Sequence, residues 1–543
     1  MERHLSSFFT PLTAAQSAYC GDKTASFSLP ADPLVSGLEY DSRKVKPGNL
    51  FFALKGLRTD GHNYIGQAVE KKASVVVYQD DINPENFNKE TVFLKVKDSR
   101  FAMSPIAAAF YGYPSRRMTV IGVTGTEGKS TTVYLIWQLL RLLGKKAGFF
   151  STVQYSLGGD ELPNPEHQTT PEATEVQRFL FEIAESGAEY AVAESSSHGL
   201  SPRTNRLGDV DFTVAVMTNL TREHLEFHGT WEQYRDDKGN LFRALGRHSE
   251  SGEYPAPFGV INADDPNAAW FAAETIREVL SYSVNGLEAD LSVHSIESSA
   301  YGNWYEVLVR GTGETLDVRD KLPGSFNAGN VLAALLVVSR LLSLPVREAA
   351  VQVPRLKPLR GRMTSVRNKL GIEILVDFAH TPSSFETIFP PLRRKLKNTG
   401  GRIISLFGSA GERDTEKRSG QGRVAAKYSD YIVLTDEDPR GEKPMDILEE
   451  IARGCFAPAE GETSPPRGGR PEWKRDGNLF LIPERPKAIR KALSLAKPGD
   501  LVLLLGKGHE NSIIYADRIV AYDEIREAEK AAAELGETAK AGR

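Results

Sequence analysis

The sequence predicts an α/β protein with three domains. At 543 residues the chain is too long for a single hydrophobic core. Apolar runs typical of buried strands alternate with helix-forming stretches, which favours mostly parallel sheets covered by helices on both faces. The alternation begins at about residue 116 and restarts at about residue 356, so we predict domains over residues 1–115, 116–355 and 356–543.

The first domain is predicted to be a small α/β unit. A turn at Pro47-Gly48 precedes a strand-like run over Leu50–Ala53. Gly61 opens a predicted helix, and a β-branched strand follows over Ala73–Tyr78. Pro114-Ser115-Arg116 marks the linker to the next domain.

The central domain is predicted to contain a mostly parallel sheet. It opens with an apolar strand at residues 118–123, a glycine-rich turn and a helix over Val133–Leu143. Further strands are predicted at residues 190–193, 212–217 and 258–261. A helix over Gly324–Leu342 lies near the end of the domain.

A second, Rossmann-like α/β unit is predicted from residue 356. Its strands are expected at residues 372–376, 402–407, 431–434 and 501–505, and its helices at 488–496 and 524–543. Such a unit usually has a ligand crevice at the carboxyl ends of its strands. Residues 456–478 are rich in proline, glycine and charge, and they are predicted to form an exposed insertion.

The composition excludes several classes of protein. The net charge, 67 − 71 = −4, gives no sign of nucleic acid or an anionic membrane as a partner. Cys20 and Cys455 are too few for a disulfide framework or a cysteine metal site. Residues 1–12 carry too short an apolar stretch for a signal peptide, and no apolar run is long enough to span a bilayer. A cytoplasmic enzyme is therefore expected.

The turn after the first central strand carries the clearest chemical signal. It reads Gly125-Thr126-Glu127-Gly128-Lys129-Ser130-Thr131 and leads into a helix. In this P-loop-type arrangement, glycines let backbone N–H groups approach phosphate oxygens, a lysine reaches the outer phosphates, and a hydroxyl meets Mg²⁺. The spacing departs from the Walker pattern, which requires glycine where this chain has Val123. A glycine-rich turn without a ligand is the alternative.

Several further residues are interpreted from their residue types alone. Glu194 follows a predicted strand, where it could bind Mg²⁺ or be a solvated loop acid, and the serines at 195–197 suit an oxygen-rich substrate or a turn. His224 and His228 could share a helix face as metal ligands or as a packing pair. Lys238, taken alone, is predicted to lie on a solvated face.

The order of short motifs resembles the Mur ligase family of ATP-dependent amide ligases, and within it the tripeptide synthetases (MurE type). Each motif is weak alone, but together they span residues 41–510 in the family's order. They are Asp41-Ser42-Arg43, the loop at 125–131, Thr169-Thr170-Pro171, Glu194–His198, Thr218–His228, Lys238, Asn262–Asp265, Gly324–Asn327 with Asn330, Gly361-Arg362, Asp377–Pro382, Gly411–Asp414 with Lys417-Arg418, Asp438-Pro439-Arg440 and Gly506–Glu510.

The resemblance implies ATP and two Mg²⁺ ions as cofactors. It implies phosphate and metal binding by the loop with Lys129 and Ser130, Mg²⁺ ligation by Glu194 and His224, and a carbamylated lysine at Lys238 that binds the second ion. A carbamate is an anion, which suits that ion. The implied adenine contacts are Asn262 and Asn327, and the implied hinge-side nucleotide contacts are Arg362 and Asp377.

The resemblance also implies a substrate and a reaction. A small N-terminal domain would bind the uridine end of UDP-N-acetylmuramoyl-L-alanyl-D-glutamate, and the central ATPase domain would activate its D-glutamate carboxylate as an acyl phosphate. The amine of a diamino acid bound in the third domain would then form an amide, in peptidoglycan precursor synthesis by a monomer. The implied substrate residues are Ser42 and Arg43 at the uridine, Thr169, Thr170, Ser196 and Arg206 along the muramoyl-peptide, and Arg413, Asp438, Arg440, Gly506 and Glu510 around the amino acid.

The identity of the added amino acid stays open. Family members that add meso-diaminopimelate typically carry Asp-Asn-Pro-Arg, where this chain reads Glu437-Asp438-Pro439-Arg440. The Arg440 guanidinium suits a distal carboxylate and favours meso-diaminopimelate. The extra anion at Asp438 favours L-lysine or L-ornithine. These charges could also form only structural ion pairs.

Glu127 and Phe378 are among the departures from the family pattern, and rival functions are disfavoured. Glu127 places an acid in the phosphate loop, and Phe378 replaces a tyrosine of the family pattern. A related ligase, such as folylpolyglutamate synthetase or the enzyme that adds D-Ala-D-Ala, is disfavoured by the motifs at 41–43 and 437–440. A nucleotide-regulated binding protein without turnover is disfavoured because Lys129, Glu194, His224 and Lys238 are all present.

Overall fold

The structure is a computed structural model, and it describes residues 1–21, 27–56, 59–164, 168–221, 225–245, 255–299, 302–397, 399–456 and 473–541. Backbone contacts group the chain into two compact units. The first unit contains residues 1–283, 288–290 and 333–349, and the second contains residues 284–287, 291–332 and 350–543.

The N-terminal part of the first unit is a small α/β arrangement. A parallel sheet with strand order β3-β4-β5-β6 forms its centre, and β1 pairs with β2 antiparallel. Alternate residues of β4 and β5 enter two apolar clusters, one on each face of the sheet. The elements are β1 Arg3–His4, α1 Leu5–Phe8, α2 Pro11–Gln16, β2 Leu34–Val35, β3 Gly37–Glu39, β4 Asn49–Phe52, α3 Ile65–Glu70, β5 Val75–Tyr78, β6 Val92–Lys95 and α4 Ser99–Phe110, with 3₁₀ turns at Gly61–Tyr64, Pro84–Asn86 and Pro114–Arg117.

The rest of the first unit contains the predicted parallel sheet. Its strand order is β10-β9-β8-β11-β7-β12-β13-β14, and pairing is parallel from β8 to β14. The strands and helices are β7 Thr119–Thr124, α5 Lys129–Leu142, β8 Ala147–Phe150, β9 Gln154–Ser156, β10 Leu162–Pro163, α6 Ala173–Glu185, β11 Tyr190–Glu194, α7 Ser197–Leu200, β12 Val214–Met217, α8 Leu225–His228, α9 Trp231–Ala244, β13 Phe258–Asn262, α10 Ala268–Ala273 and β14 Glu278–Ser283.

The register of this sheet positions the chemical groups of the first unit. In the central pair, Glu194 at the end of β11 pairs with Val123 near the end of β7. Because these strands are parallel, the loop that follows β7 and the serine turn that follows β11, residues 195–197, emerge at the same edge of the sheet. Helices α6 and α9 pack on one face of the sheet in a single apolar cluster.

The second unit contains an antiparallel group of strands and a second parallel sheet. Strands β15, β16 and β17 pair antiparallel. The second sheet has the order β18-β19-β23-β20-β21-β22 and is parallel from β19 to β22. The elements from β15 onward are β15 Leu291–Ser299, β16 Gly302–Val309, β17 Glu314–Arg319, α11 Phe326–Leu342, α12 Val346–Ala350, a 3₁₀ turn Val353–Arg355, β18 Thr364–Ser365, β19 Glu373–Asp377, α13 Pro382–Lys397, β20 Ile403–Phe407, α14 Glu416–Tyr428, β21 Tyr431–Leu434, α15 Pro444–Phe456, β22 Leu479–Leu481, α16 Arg485–Leu495, β23 Leu501–Leu505, β24 Ser512–Ile514, β25 Ile519–Ala521 and α17 Glu524–Ala541.

This second sheet is covered on both faces. Helices α13, α14 and α15 pack on one face, and α16 and α17 pack on the other. Of the predicted insertion at 456–478, residues 457–472 lie outside the described part of the chain. Trp473 packs against the apolar cluster that α13, α14 and α15 form with the sheet.

Candidate active site

The glycine-rich loop adopts a conformation that its glycines make possible. Gly125 has φ +147°, and a Cβ there would lie 1.9 Å from Thr218 Oγ1. Gly128, with φ +83°, is the N-cap of α5, and no described side chain caps that helix. The backbone N–H groups at the start of α5 therefore face the loop, an arrangement that attracts anions.

The segment after β12 holds the loop in place. Thr218 Oγ1 donates to the carbonyl of Glu127 at 2.6 Å. Asn219 Oδ1 accepts from the Glu127 N–H at 2.9 Å, and Asn219 Nδ2 donates back to its carbonyl at 3.0 Å. The backbone at Glu127 is thus fixed on both sides, and the residue as a whole is half-buried. Thr218 and Asn219 belong to one of the sequence motifs, but no local sequence pattern predicts this anchoring role.

Ser130 and Glu194 come together at the edge of the sheet. Ser130 Oγ donates to Glu194 Oε1 at 2.9 Å, and the N–H of Thr152 donates to Glu194 Oε2 at 2.7 Å. Glu194 is the last residue of β11 and is buried, so it is not a solvated loop acid. Lys129 Nζ donates to the carbonyl of Thr126 at 2.7 Å. A hydroxyl, a carboxylate and an ammonium at one helix start form a donor set that fits a triphosphate with Mg²⁺.

Lys238 is buried against the loop, so the interpretation of this residue alone as a surface lysine was wrong. It is 2% exposed, and its Nζ donates to the carbonyl of Gly125 at 2.6 Å. The same Nζ lies 4.7 Å from the centre of the Tyr234 ring. Because Lys238 and Gly125 are far apart in the sequence, the local sequence pattern gave no indication that Lys238 is buried.

Of the histidine pair, the structure describes His228. His224 lies outside the described residues. His228, at the end of α8, is buried, with Nδ1 2.7 Å from Asp237 Oδ2 and Nε2 3.0 Å from Ser197 Oγ. Among the described residues, both ring nitrogens of His228 therefore have protein partners.

The residues assigned to the muramoyl-peptide path form a connected polar network. Thr170 Oγ1 donates to the carbonyl of Glu194 at 3.0 Å and lies 2.9 Å from Ser196 Oγ. Arg206 donates to the Thr170 carbonyl and to Glu172 Oε1, both at 2.8 Å. Thr169 precedes this network and is half-buried.

The residues assigned to the uridine end occupy two different environments. Ser42 is buried, and its Oγ donates to Gln67 Oε1 at 2.6 Å. Arg43 is 83% exposed at its side chain and pairs with Asp41 at 2.8 Å. Arg43 is therefore exposed to solvent, whereas Ser42 is not.

The two asparagines assigned to adenine each bind local backbone. Asn262, at the end of β13, donates from Nδ2 to the carbonyl of Thr218 at 2.9 Å. In the second unit, Asn327 donates from Nδ2 to the carbonyl of Pro323 at 2.7 Å and accepts from Asn330. Each amide is held in a fixed orientation.

Asp377 and Arg362 lie close together in the second unit. Asp377 ends β19, and its two oxygens accept from the N–H groups of Met363 and Ala379, each at 2.7 Å. Burial raises the pKa of Asp377, although Arg362 and the backbone donors oppose this. The Arg362 guanidinium lies 4.6 Å from the centre of the Phe378 ring. Phe378 therefore supports Arg362 by a cation–π contact.

A buried charged cluster lies at the carboxyl ends of β21 and β23. Lys507 is fully buried, and its Nζ lies 2.9 Å from Asp438 Oδ1 and 2.5 Å from Glu510 Oε2. Burial raises the pKa of Glu510, although Lys507 opposes this. Burial also opposes ionisation of Glu437, but nearby cations, led by Lys417, outweigh it and lower its pKa. At Gly506, φ is +99°, and a Cβ there would lie 2.9 Å from Glu437 Oε2.

The two arginines assigned to the amino acid differ in their surroundings. Arg413 is exposed in the turn before α14. Arg440 is half-buried, has φ +54°, and donates its N–H to the carbonyl of Ile514 at 2.9 Å. Lys507 lies inside the motif Gly506–Glu510, but no sequence pattern predicts its buried ion pairs.

The fold and these contacts define a multidomain α/β protein with a preformed anion-binding loop. Three family models match the chain in succession: "Mur ligase family, catalytic domain" over residues 34–111, "Mur ligase middle domain" over 123–338 and "Mur ligase, glutamate ligase domain" over 361–508. The chain belongs to the Mur ligase family. The predicted α/β architecture of three domains is confirmed, while the boundaries at 115/116 and 355/356 stay predictions.

Similar proteins span nearly the whole chain. A UDP-N-acetylmuramyl-tripeptide synthetase of Treponema denticola is 48% identical over 92% of this chain and 93% of the relative. A UDP-N-acetylmuramoyl-L-alanyl-D-glutamate--2,6-diaminopimelate ligase of Geobacillus thermodenitrificans is 36% identical over 91% of this chain and 94% of the relative. A solved structure of a ligase with that same name is 27% identical, with a TM-score of 0.58 over 92% of this chain and 95% of the other. Among the described helices, none combines the length and apolar character needed to cross a membrane.

Proposed function

We propose that this chain is an ATP-dependent ligase of peptidoglycan precursor synthesis. It joins the D-glutamate carboxylate of UDP-N-acetylmuramoyl-L-alanyl-D-glutamate to the amine of a diamino acid. The similarity to a tripeptide synthetase at 48% identity over nearly the full length supports this proposal. The observation that carries it is the convergence of Lys129, Ser130, Glu194 and Lys238 on one loop.

The loop at 125–131 binds the phosphates of ATP in this proposal. Backbone N–H groups at the start of α5 and Lys129 neutralise the phosphate oxygens. Ser130, Glu194 and, in its carbamylated form, Lys238 hold Mg²⁺, with His224 assigned by family resemblance. Bound Mg²⁺ supplies further positive charge where two anions must approach.

The reaction proceeds by acyl activation. An oxygen of the D-glutamate carboxylate attacks the γ-phosphorus of ATP, so ADP leaves and an acyl phosphate forms. The amine of the diamino acid attacks the acyl carbon and loses a proton, and inorganic phosphate leaves as the amide forms. Lys129 reduces the repulsion between carboxylate and triphosphate. Thr170, Ser196 and Arg206 orient the muramoyl-peptide, while Ser42 and Arg43 receive its uridine end.

The diamino acid binds at the charged cluster of the second unit. Arg413 meets its α-carboxylate, and Asp438, Arg440, Gly506 and Glu510 surround its side chain. The substrate is meso-diaminopimelate, L-lysine or L-ornithine. Family resemblance assigns Asn262 and Asn327 to adenine, and Arg362 and Asp377 to the nucleotide. We place the enzyme in the cytoplasm, because ATP and nucleotide-linked precursors are cytoplasmic metabolites. The family resemblance favours a monomer.

One isotope experiment tests the proposal. The D-glutamate carboxylate is labelled with ¹⁸O, and the enzyme is given ATP, Mg²⁺ and each of the three diamino acids. We expect one ¹⁸O atom in the released phosphate and a tripeptide product of the expected mass. Phosphate release that ignores the peptide and the amino acid would indicate a simple ATPase. Nucleotide binding without any phosphate release would indicate a regulated binding protein.

A further inference from the structure

A buried chain of hydrogen bonds joins Ser197, His228 and Asp237. These residues are 2%, 2% and 1% exposed. The His228 ring lies between the other two, with Nδ1 2.7 Å from Asp237 Oδ2 and Nε2 3.0 Å from Ser197 Oγ. A carboxylate can only accept, so a neutral imidazole in this position would donate from Nδ1–H to Asp237 and accept at Nε2 from the Ser197 hydroxyl.

The order Ser-His-Asp suggests nucleophilic catalysis, but burial argues against that role. Ser197 opens α7 inside the protein, and a substrate would have to reach a hydroxyl that is 2% exposed. The hydroxyl, the ring and the carboxylate therefore connect segments of the protein and do not attack a substrate.

The three residues belong to segments that carry the proposed catalytic groups. Ser197 is three residues after Glu194, in the serine turn that follows β11. Asp237 is next to Lys238 on α9. A second contact between the same segments, from Asn240 Nδ2 to the Leu200 carbonyl at 3.1 Å, ties α7 to α9 again.

Helix α9 also reaches the phosphate loop. Tyr234 OH lies 2.9 Å from Thr126 Oγ1, and Lys238 Nζ donates to the Gly125 carbonyl at 2.6 Å. The His228 ring packs edge-on against the Tyr234 ring, with 5.2 Å between centres. His228 therefore contacts both the serine turn and α9, the helix that is hydrogen-bonded to the phosphate loop.

We propose that His228 is a positioning residue, which locks the serine turn that directly follows Glu194 to the helix that carries Lys238. This inference rests on the proposed function, in which Glu194 and Lys238 serve the metal site. Asp237 fixes the tautomer and orientation of the His228 ring, and the ring in turn fixes the position of the Ser197 hydroxyl. Residues that orient metal ligands typically change metal affinity or activity by about 10- to 100-fold when they are removed.

The test compares variants that break or keep the chain of bonds. Ser197→Ala removes the hydroxyl with little change in packing, and Asp237→Leu replaces the acceptor by an apolar group of similar size. Asp237→Asn is the conservative variant, because its amide oxygen still accepts from Nδ1–H. Gln233→Ala is the matched control, since Gln233 Nε2 donates to Asp237 Oδ1 within the same helix at 3.0 Å and does not join the two segments. Ser405→Ala removes an unrelated buried hydroxyl that pairs with Ser429.

Two measurements separate positioning from simple stabilisation. Electron paramagnetic resonance measures the affinity for Mn²⁺ in the presence of a non-hydrolysable ATP analogue, and steady-state kinetics measure kcat and the KM for the diamino acid. We expect Ser197→Ala and Asp237→Leu to weaken Mn²⁺ binding by about 10- to 100-fold and to lower kcat, with the KM for the diamino acid unchanged. Asp237→Asn should restore most of both losses, and the two controls should bind Mn²⁺ like the wild type.

Unchanged Mn²⁺ affinity in Ser197→Ala and Asp237→Leu would overturn the proposal, as would equal losses in the Ser405→Ala control. If Asp237→Leu fails to fold, Ser197→Ala and Asp237→Asn decide the question. A wild-type enzyme that binds Mn²⁺ and the analogue but forms no amide would contradict the proposed function instead. The Mn²⁺ affinities of the variants relative to the wild type would still test the positioning role of His228.

Discussion

Lys507 Nζ lies 2.9 Å from Asp438 Oδ1, inside the protein and at the carboxyl edge of the second sheet. Asp438 Oδ1 also accepts from the N–H of Ile514 at 3.0 Å. Asp438 is therefore part of a structural ion pair, one of the two interpretations that the sequence left open. The same carboxylate still sets the charge of the cluster that contains Glu437 and Glu510, so structure and specificity are not exclusive here.

Asp438→Asn should change the choice of amino acid without removing the backbone contact. The amide oxygen can still accept from Ile514 N–H, but Lys507 loses one of its two carboxylate partners. The cluster becomes more positive, so we expect kcat/KM for L-lysine relative to meso-diaminopimelate to fall by about 10-fold, which is about 1.4 kcal/mol. Competition assays with mass detection of the products measure this ratio. Asp446→Asn, at an exposed acid of α15, is the control, and an unchanged ratio in Asp438→Asn would contradict the argument.

Arg440→Ala should act in the opposite direction. A guanidinium binds a distal carboxylate through two parallel hydrogen bonds, and only meso-diaminopimelate among the three proposed substrates has a distal carboxylate. We expect its kcat/KM to drop at least about 10-fold more than those of L-lysine and L-ornithine. The same competition assay gives the ranking. Arg453→Ala, at an exposed arginine of α15, controls for loss of charge; if both variants keep the wild-type ranking, Arg440 has no part in specificity.

Lys129→Ala should abolish turnover. The approaching carboxylate and triphosphate lose the cation nearest to them, and the helix start alone cannot offset that repulsion. We expect phosphate release to fall by at least about 1,000-fold, which corresponds to about 4 kcal/mol of transition-state stabilisation. Lys145→Ala removes a surface lysine that pairs with Glu189 at 3.8 Å, and it should behave like the wild type. Near-normal rates in Lys129→Ala would refute the assignment of the loop.

Local features of the fold could be predicted from sequence, because local signals determine them. The strand before the loop, predicted at 118–123, is Thr119–Thr124, and the strand predicted at 431–434 is Tyr431–Leu434. A glycine-rich turn between an apolar run and a helix can be recognised from a short stretch of neighbouring residues. The helix after the loop starts at Lys129, earlier than the predicted Val133, because phosphate-loop residues themselves form its first turn.

The contacts that build the site could not be predicted from local pattern. Lys238 and Gly125 are 113 residues apart, and Lys507 and Asp438 are 69 apart. Hydrophobic periodicity describes which face of an element is buried, but it does not tell which distant carbonyl a buried amine will meet. Only the resemblance to a family gave Lys238 a role, and no local signal distinguished Asp237 from its exposed neighbour Asp236, which is 48% exposed at its side chain.

Asp436 makes the stability of the second unit depend on pH. Burial raises its pKa to about 6, although Tyr515 and Arg485 oppose this. Because this folded-state value exceeds the ordinary 3.8, the contribution of Asp436 to stability is complete below about pH 4 and is lost as the pH rises through 6. Asp436→Asn should therefore raise the melting temperature at pH 7.5 and have little effect at pH 4. A gain of about 1–3 kcal/mol is expected at pH 7.5.

Thermal melting followed by circular dichroism at the two pH values checks this prediction. Asp517→Asn is the control, because the Asp517 side chain is 70% exposed. The Tyr515 hydroxyl donates to Asp436 Oδ2 at 3.0 Å, and an asparagine oxygen can accept the same bond. An equal shift at both pH values would mean that packing, and not ionisation, causes the change.

Lys238→Ala should be inactive and partly rescued by small carboxylic acids. The variant loses the amine that can take up CO₂, so a free carboxylate that enters the vacated space can replace the carbamate as an anion for Mg²⁺. Since the site is buried, acetate or propionate should restore activity better than a bulky acid, and chloride at equal ionic strength should not restore it. We expect recovery of at least about 10-fold over the unsupplemented variant, measured as amide product by mass spectrometry, because an anion in that place supplies a metal ligand. Gln233→Ala on the same helix keeps Lys238 and should gain nothing from acetate. If no acid restores Lys238→Ala while the variant still melts like the wild type, Lys238 contributes through its contact with the Gly125 carbonyl and not as a carbamate.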